Sequence, residues 1–273
     1  MKSLEFLYSH FFIKSLIASL FAGITCGIAG VWVYLLNIPF VGVAMAHTAF
    51  AGAVLGLLIG INPVLSAAIF CLAAAFCIGP VAEKGSFSPN IATGILFSFM
   101  LGLAFIFMSK LRTNVSEALS LMWGNILTIS VKNVYALAAV AAVTAAFLVI
   151  FRRGIMSVVY SRGISFASGI PEKFIFYSLL ALCALTVSIN IRTTGALLIY
   201  GLITIAPASA AQLTRKLNTM YVLSAALASA SCVAGLFASY IFDIPAGAAI
   251  IAVAAVIFVL SFMLNKKILR SGI

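Results

Sequence analysis

Phe40-Val41-Gly42-Val43-Ala44-Met45-Ala46-His47-Thr48-Ala49-Phe50-Ala51-Gly52-Ala53-Val54-Leu55-Gly56-Leu57-Leu58-Ile59-Gly60-Ile61 is an unbroken apolar run with one titratable side chain, His47. About 20 such residues, wound as a helix, cross the hydrocarbon core of a bilayer. An imidazole at that depth loses its water and needs a partner, so an ionisable group there points to a functional site. The rival reading is a histidine satisfied within a helix–helix contact.

Outward from this run the chain continues in kind. It is 64% hydrophobic and 8% charged, against about 25% charged in soluble domains, and its mean hydropathy is +1.26. The composition predicts an all-α fold, a polytopic transmembrane helical bundle forming one domain over 1–273, with no room for a separate soluble domain. Met1-Lys2-Ser3-Leu4-Glu5 lacks the features of a cleaved signal peptide, so the first run reads as a retained span. Loop signals divide the runs into about eight or nine spans, near 11–36, 40–61, 63–82, 90–109, 133–151, 173–191, 195–212, 219–241 and 246–264. Asn62-Pro63 makes a tight turn, 83–90 a polar loop, and Ile244-Pro245-Ala246-Gly247 a break. Residues 116–130 are too short and mixed to span, and read as a surface or re-entrant helix ending near Gly124-Asn125. The span 195–212 holds Gly195, Gly201 and Pro207 and is expected to be broken.

The net charge of +11 reports membrane orientation rather than nucleic-acid binding, because the basic residues fall in short loops and no basic patch is interleaved with aromatics. Arg152, Arg153, Arg162 and Lys173 flank 152–172, Arg215 and Lys216 follow span 195–212, and Lys266, Lys267 and Arg270 end the chain. Even numbers of spans separate these clusters, so all three can lie in the cytoplasm, which turns the N-terminus outward together with Lys110, Arg112 and Lys132. Cys26, Cys71, Cys77, Cys183 and Cys232 are odd in number and lie in apolar runs, where they serve as small hydrophobes rather than a disulfide framework. Gly23, Gly27 and Gly30, and again Gly52, Gly56 and Gly60, recur at helical spacing and are expected to let helix backbones pack closely.

The connection 152–172 is expected to carry a short amphipathic helix capped by Ser165, ended by Gly169 and followed by Pro171 at the start of the next span. It would leave Ile164, Phe166 and Ile170 in water without a partner, the mark of a docking element. Enzymatic readings find little support. The acids Glu5, Glu83, Glu117, Glu172 and Asp243 lie outside span centres, His10 is near the N-terminus, and no HExxH, GxSxG or Walker A pattern occurs.

Several blocks, in order, resemble the membrane permeases of ATP-binding-cassette importers for zinc and manganese. Gly42-Val43-Ala44-Met45-Ala46-His47-Thr48-Ala49-Phe50-Ala51-Gly52 resembles a family segment with Gly-Asp-Ala-Leu-Ser-His-Ala, a spacer and Gly. Asn90-Ile91-Ala92-Thr93-Gly94 resembles an Asp-x-x-x-Gly helix start, and Leu121-Met122-Trp123-Gly124-Asn125-Ile126-Leu127 a Leu-Phe-Gly-Ser-Ile-Leu piece. Gly195-Ala196-Leu197-Leu198 with Pro207-Ala208-Ser209-Ala210-Ala211, and then Tyr240-Ile241-Phe242-Asp243-Ile244-Pro245-Ala246-Gly247, complete the match.

The resemblance implies a fold related to corrinoid and siderophore importer permeases, in the plasma membrane of a prokaryote. It implies a homodimer, two cytoplasmic ATP-binding-cassette ATPase subunits, an external solute-binding protein, and no cofactor beyond the transported ion. It makes 152–172 the coupling loop, with Ser161, Ser165, Phe166, Gly169 and Ile170 meeting the ATPase. It puts His47, Met45 and Asn90 on the ion path and gives Gly52, Gly56, Gly195 and Pro207 structural roles. Val43, Asn90 and Ser161 stand where the family often has aspartate. The missing carboxylate at Val43 keeps a second cargo open, a metal chelate, siderophore or cobalamin-like ligand. Met45 and the cysteines are soft donors, which would favour zinc or copper(I) over manganese.

Overall fold

The computed structural model describes residues 10–84, 89–111, 115–124, 126 and 129–270. The N-terminal segment Met1–Glu5, part of the polar loop 83–90, Arg112 and Asn125 lie outside the described residues. Among the described residues twelve α-helices follow one another: α1 (His10–Leu35), α2 (Phe40–Ile59), α3 (Pro63–Lys84), α4 (Pro89–Lys110), α5 (Val115–Trp123), α6 (Val131–Ile150), α7 (Arg152–Tyr160), α8 (Arg162–Ala167), α9 (Glu172–Asn190), α10 (Ala196–Leu213), α11 (Leu217–Phe242) and α12 (Ala246–Arg270). Seven are long and apolar enough to cross a membrane, namely α1, α2, α4, α6, α9, α11 and α12, while α3 and α10 supply shorter apolar stretches at 63–78 and 199–213. Each of the apolar runs seen in the sequence is therefore a helix.

Local chemistry sets several boundaries. Asn62 accepts a bond from the Val64 amide at 3.0 Å just ahead of α3, with Pro63 at the first helical position. Ser130 caps α6 by accepting from Asn133 N at 3.4 Å. Gly60 closes α2 in the left-handed region with open space around it, so it is a cap and not a third member of the Gly52–Gly56 packing register.

α1 is the spine. It packs on α11, α10, α6 and α9, while α2 packs between α3 and α4. A Cβ on Gly27 would stand 2.6 Å from Ala225 Cα, so glycine is what allows α1 and α11 to meet backbone to backbone, with Ser224 Oγ donating to Gly27 O at 2.8 Å. On the next turn Gly30 faces α10, where its Cα lies against the carbonyl of Ile203. Pro207 has no amide to offer that carbonyl, and the close approach of α1 covers it. The expected break in 195–212 is corrected by this arrangement: α10 runs unbroken from Ala196 to Leu213 with Pro207 inside it.

The bundle has two distinct ends. One carries α7 and α8, the α10–α11 turn and the α1–α2 turn. The other carries the start of α1, where Ser15 donates to Ile126 O at 3.0 Å, and the α9–α10 turn. There Gly124 and Gly195, both at positive φ, press backbone against backbone, so the piece after α5 is pinned to the start of α10. α5 is too short to span and rests against α2 and α10, as expected for 116–130.

Candidate metal path and coupling surface

His47 lies in α2 with 9% of its surface exposed. Its ring meets Phe97 of α4 edge-on, centroids 4.8 Å apart, and Nδ1 is buried without a hydrogen-bond partner. An orphaned buried polar atom costs about 1–3 kcal/mol and calls for a reason. Nothing among the described residues hydrogen-bonds Nδ1.

Asn90 opens the first full turn of α4, two turns before Phe97 and on the same face. Its Nδ2 donates to Asn37 O at 3.4 Å, and its Oδ1 is buried and unpartnered. His47 and Asn90 thus border the same α2–α4 seam, each with one unused polar atom. Met45 does not join them. Two residues along a helix is a turn of about 200°, and Met45 is fully buried in the central apolar cluster, its carbonyl accepting from Cys71 Sγ at 3.4 Å. Val43, one turn before His47, is half-buried. Among the described residues no three His, Cys, Asp or Glu side chains gather into a metal cage. Gly52 and Gly56 seat α2 on α3, against Phe70 and Ser66.

The connection 152–172 holds two helices, not one. α7 buries Ile155 and Val158 and exposes Tyr160. Ser161, not Ser165, caps α8, its side chain accepting from Ile164 N at 3.3 Å. Ser165 is instead buried, donating to Ser161 O at 2.9 Å and sharing a bond of 2.8 Å with Ser157 Oγ, which locks α8 against α7. Gly169, at φ 73°, ends the element as expected, with its amide donating to Phe166 O at 3.1 Å. Ile164 and Phe166 stand 57% and 73% exposed, whereas Ile170 leans back onto the core. That last placement corrects the expectation of three unpartnered apolar residues.

Arg162 and Glu172 hold this unit to the bundle, and sequence reasoning missed the pair. Arg162 Nε and Nη2 both donate to Glu172 Oε2, at 3.1 and 3.0 Å, and the guanidinium lies 4.2 Å over the Phe176 ring. The only hint in the sequence was one acid within a basic loop. At the opposite end Arg192 and Glu117 approach to 3.9 Å beside a polar cavity of about 210 Å³.

Comparison with known proteins fits this geometry. The chain is 30% identical over 267 residues to the manganese transport system membrane protein MntC of Listeria monocytogenes, covering 97% of this chain and 94% of that one. Its fold superposes on the structure of PsaBC from Streptococcus pneumoniae in complex with Fab with a TM-score of 0.85 at 26% identity, covering 95% and 94% of the two chains. An inward-facing metal-chelate type ABC transporter shares the fold alone, with a TM-score of 0.75 at 11% identity over 91% of this chain and 84% of that one. The profile of the ABC 3 transport family matches residues 8–265. With its apolar helices and this full-length match, the chain is a multi-pass protein of the prokaryotic plasma membrane and belongs to the ABC 3 transport family of metal importer permeases.

Proposed function

We propose that the chain moves a divalent metal ion, manganese before zinc, by alternating access. It acts as a homodimer on two cytoplasmic ATPase subunits and receives the ion from an external solute-binding protein. The observation that carries the metal reading is the buried, unpartnered Nδ1 of His47. A neutral imidazole nitrogen is a good metal ligand, and carboxylate, carbonyl and water oxygens suit manganese. One imidazole, the Asn90 amide oxygen and water make a weak site, and a site on a transport path must release its ion. The name of the Listeria relative supports manganese.

In this reading Ile164, Phe166 and Tyr160 seat in the ATPase, and the Arg162–Glu172 pair passes its motion to α9. The permease itself makes and breaks no covalent bonds. The test is manganese uptake into proteoliposomes that contain both partners. His47→Ala should lower uptake about tenfold, on the scale of lost metal-site support, while the ATPase still co-purifies. Uptake at the wild-type rate would remove His47 from the path.

A second cargo, a metal chelate, is favoured by one observation: Val43 leaves the His47 face without a carboxylate. Free manganese and a chelated metal supplied in competition separate the two readings.

A further inference from the structure

A groove of about 310 Å³ opens between the α6–α7 corner and the first turn of α11, at the end of the bundle that carries α7 and α8. Its walls are apolar. Leu148 and Met156 form one side, and Val149 and Val222, 75% and 70% exposed, stand at its lips. Its rim is polar, with Arg152 and Asn218 both exposed. Here the apolar surface of α6 and α11 gives way to basic connections, with Arg153, Arg215 and Lys216 close by in sequence. Of the acids at this end, Glu172 is already held by Arg162, and Glu83 stands in the last turn of α3. Among the described side chains no carboxylate pairs with Arg152.

We propose that this groove binds an anionic phospholipid, with the headgroup phosphate on Arg152 and Asn218 and an acyl chain lying along Leu148, Val149 and Val222. An apolar trough that opens toward the lipid and ends in a guanidinium at the water boundary matches the two halves of such a molecule. Basic pockets between spans on the cytoplasmic side recognise lipid headgroups in this way. A free phosphate would leave the apolar walls uncovered. The inference goes beyond the transport reading and does not depend on which ion is carried.

The test is native mass spectrometry of the full chain from mixed micelles of phosphatidylglycerol and phosphatidylcholine. The wild type should retain phosphatidylglycerol preferentially, and Arg152→Gln should lower that retention about fivefold. Arg152→Lys should keep it, and so should Arg153→Gln, whose charge lies outside the groove lining. Val149→Trp, which fills the trough and leaves the charge, should lower it too. Four results would overturn the proposal: equal retention of both lipids, equal loss in Arg152→Gln and Arg153→Gln, displacement by inorganic phosphate, or loss of the lipid when the ATPase subunit is added. The last would assign the groove to that protein. Far-ultraviolet circular dichroism of each variant keeps a folding defect from passing as lost binding.

Discussion

Around His47 the surroundings are apolar rather than ligating: an aromatic edge from Phe97 and half-buried Val43 one turn away. Val43→Asp would place a carboxylate on the same helix face as the imidazole. The full-length variant should bind manganese about tenfold more tightly, since ligand charge sets affinity at such sites, and should release it more slowly. Titration calorimetry in detergent reads the first effect, and unchanged affinity would put the ion elsewhere. The isolation of His47 was legible in the sequence because charge is so scarce there. Its neighbour was not, since Phe97 lies on another helix and no local pattern links the two. Met45 misled for a related reason. It sits beside His47 in the text, but a helix turns it toward the core.

For the helices, apolar runs were readable because a bilayer demands length and continuity, and both are written in composition. The connection 152–172 was harder. Arg152-Arg153-Gly154 looks like a loop, yet Ile155 and Val158, three apart, give α7 a buried side. Two serines four residues apart could each have capped α8, and only packing decides that Ser165 turns inward while Ser161 caps. Gly169→Pro should test the docking role of this unit. Proline fixes φ near −65° and has no amide, so the positive φ and the bond to Phe166 O are both lost. ATP hydrolysis should uncouple from transport, with uptake at background and the spans still folded. Wild-type hydrolysis and uptake in that variant would refute docking there. Removing the ion-pair partner in Arg162→Ala should loosen the same unit by about 2 kcal/mol, the range for a hydrogen bond to a charged group. Faster amide exchange in α8 would report it.

Across the whole bundle, α1 works as a spine because its glycines bring neighbouring backbones into contact. Gly27→Leu must push α11 away from Ala225 and should cost about 3 kcal/mol. Gly102→Ala, with nothing within 4 Å of the added carbon, should cost nothing. Thermal unfolding of the two variants side by side measures the contrast. The glycine spacing announced close packing without naming the partners: Gly23 and Gly27 choose α11, and Gly30 turns to α10.

α9 is held at both ends. Its first turn is clamped to α8 through Glu172. Its far end is anchored as well, with Asn190 Nδ2 donating to Thr25 Oγ1 of α1 at 3.1 Å and the following turn pressed on Gly124. Its 19 residues make a rod about 28 Å long at 1.5 Å per residue. A rod gripped at both tips acts as a lever. In the transport cycle proposed above, a push on α8 would travel along α9 to Thr25, midway along α1, and to the piece after α5.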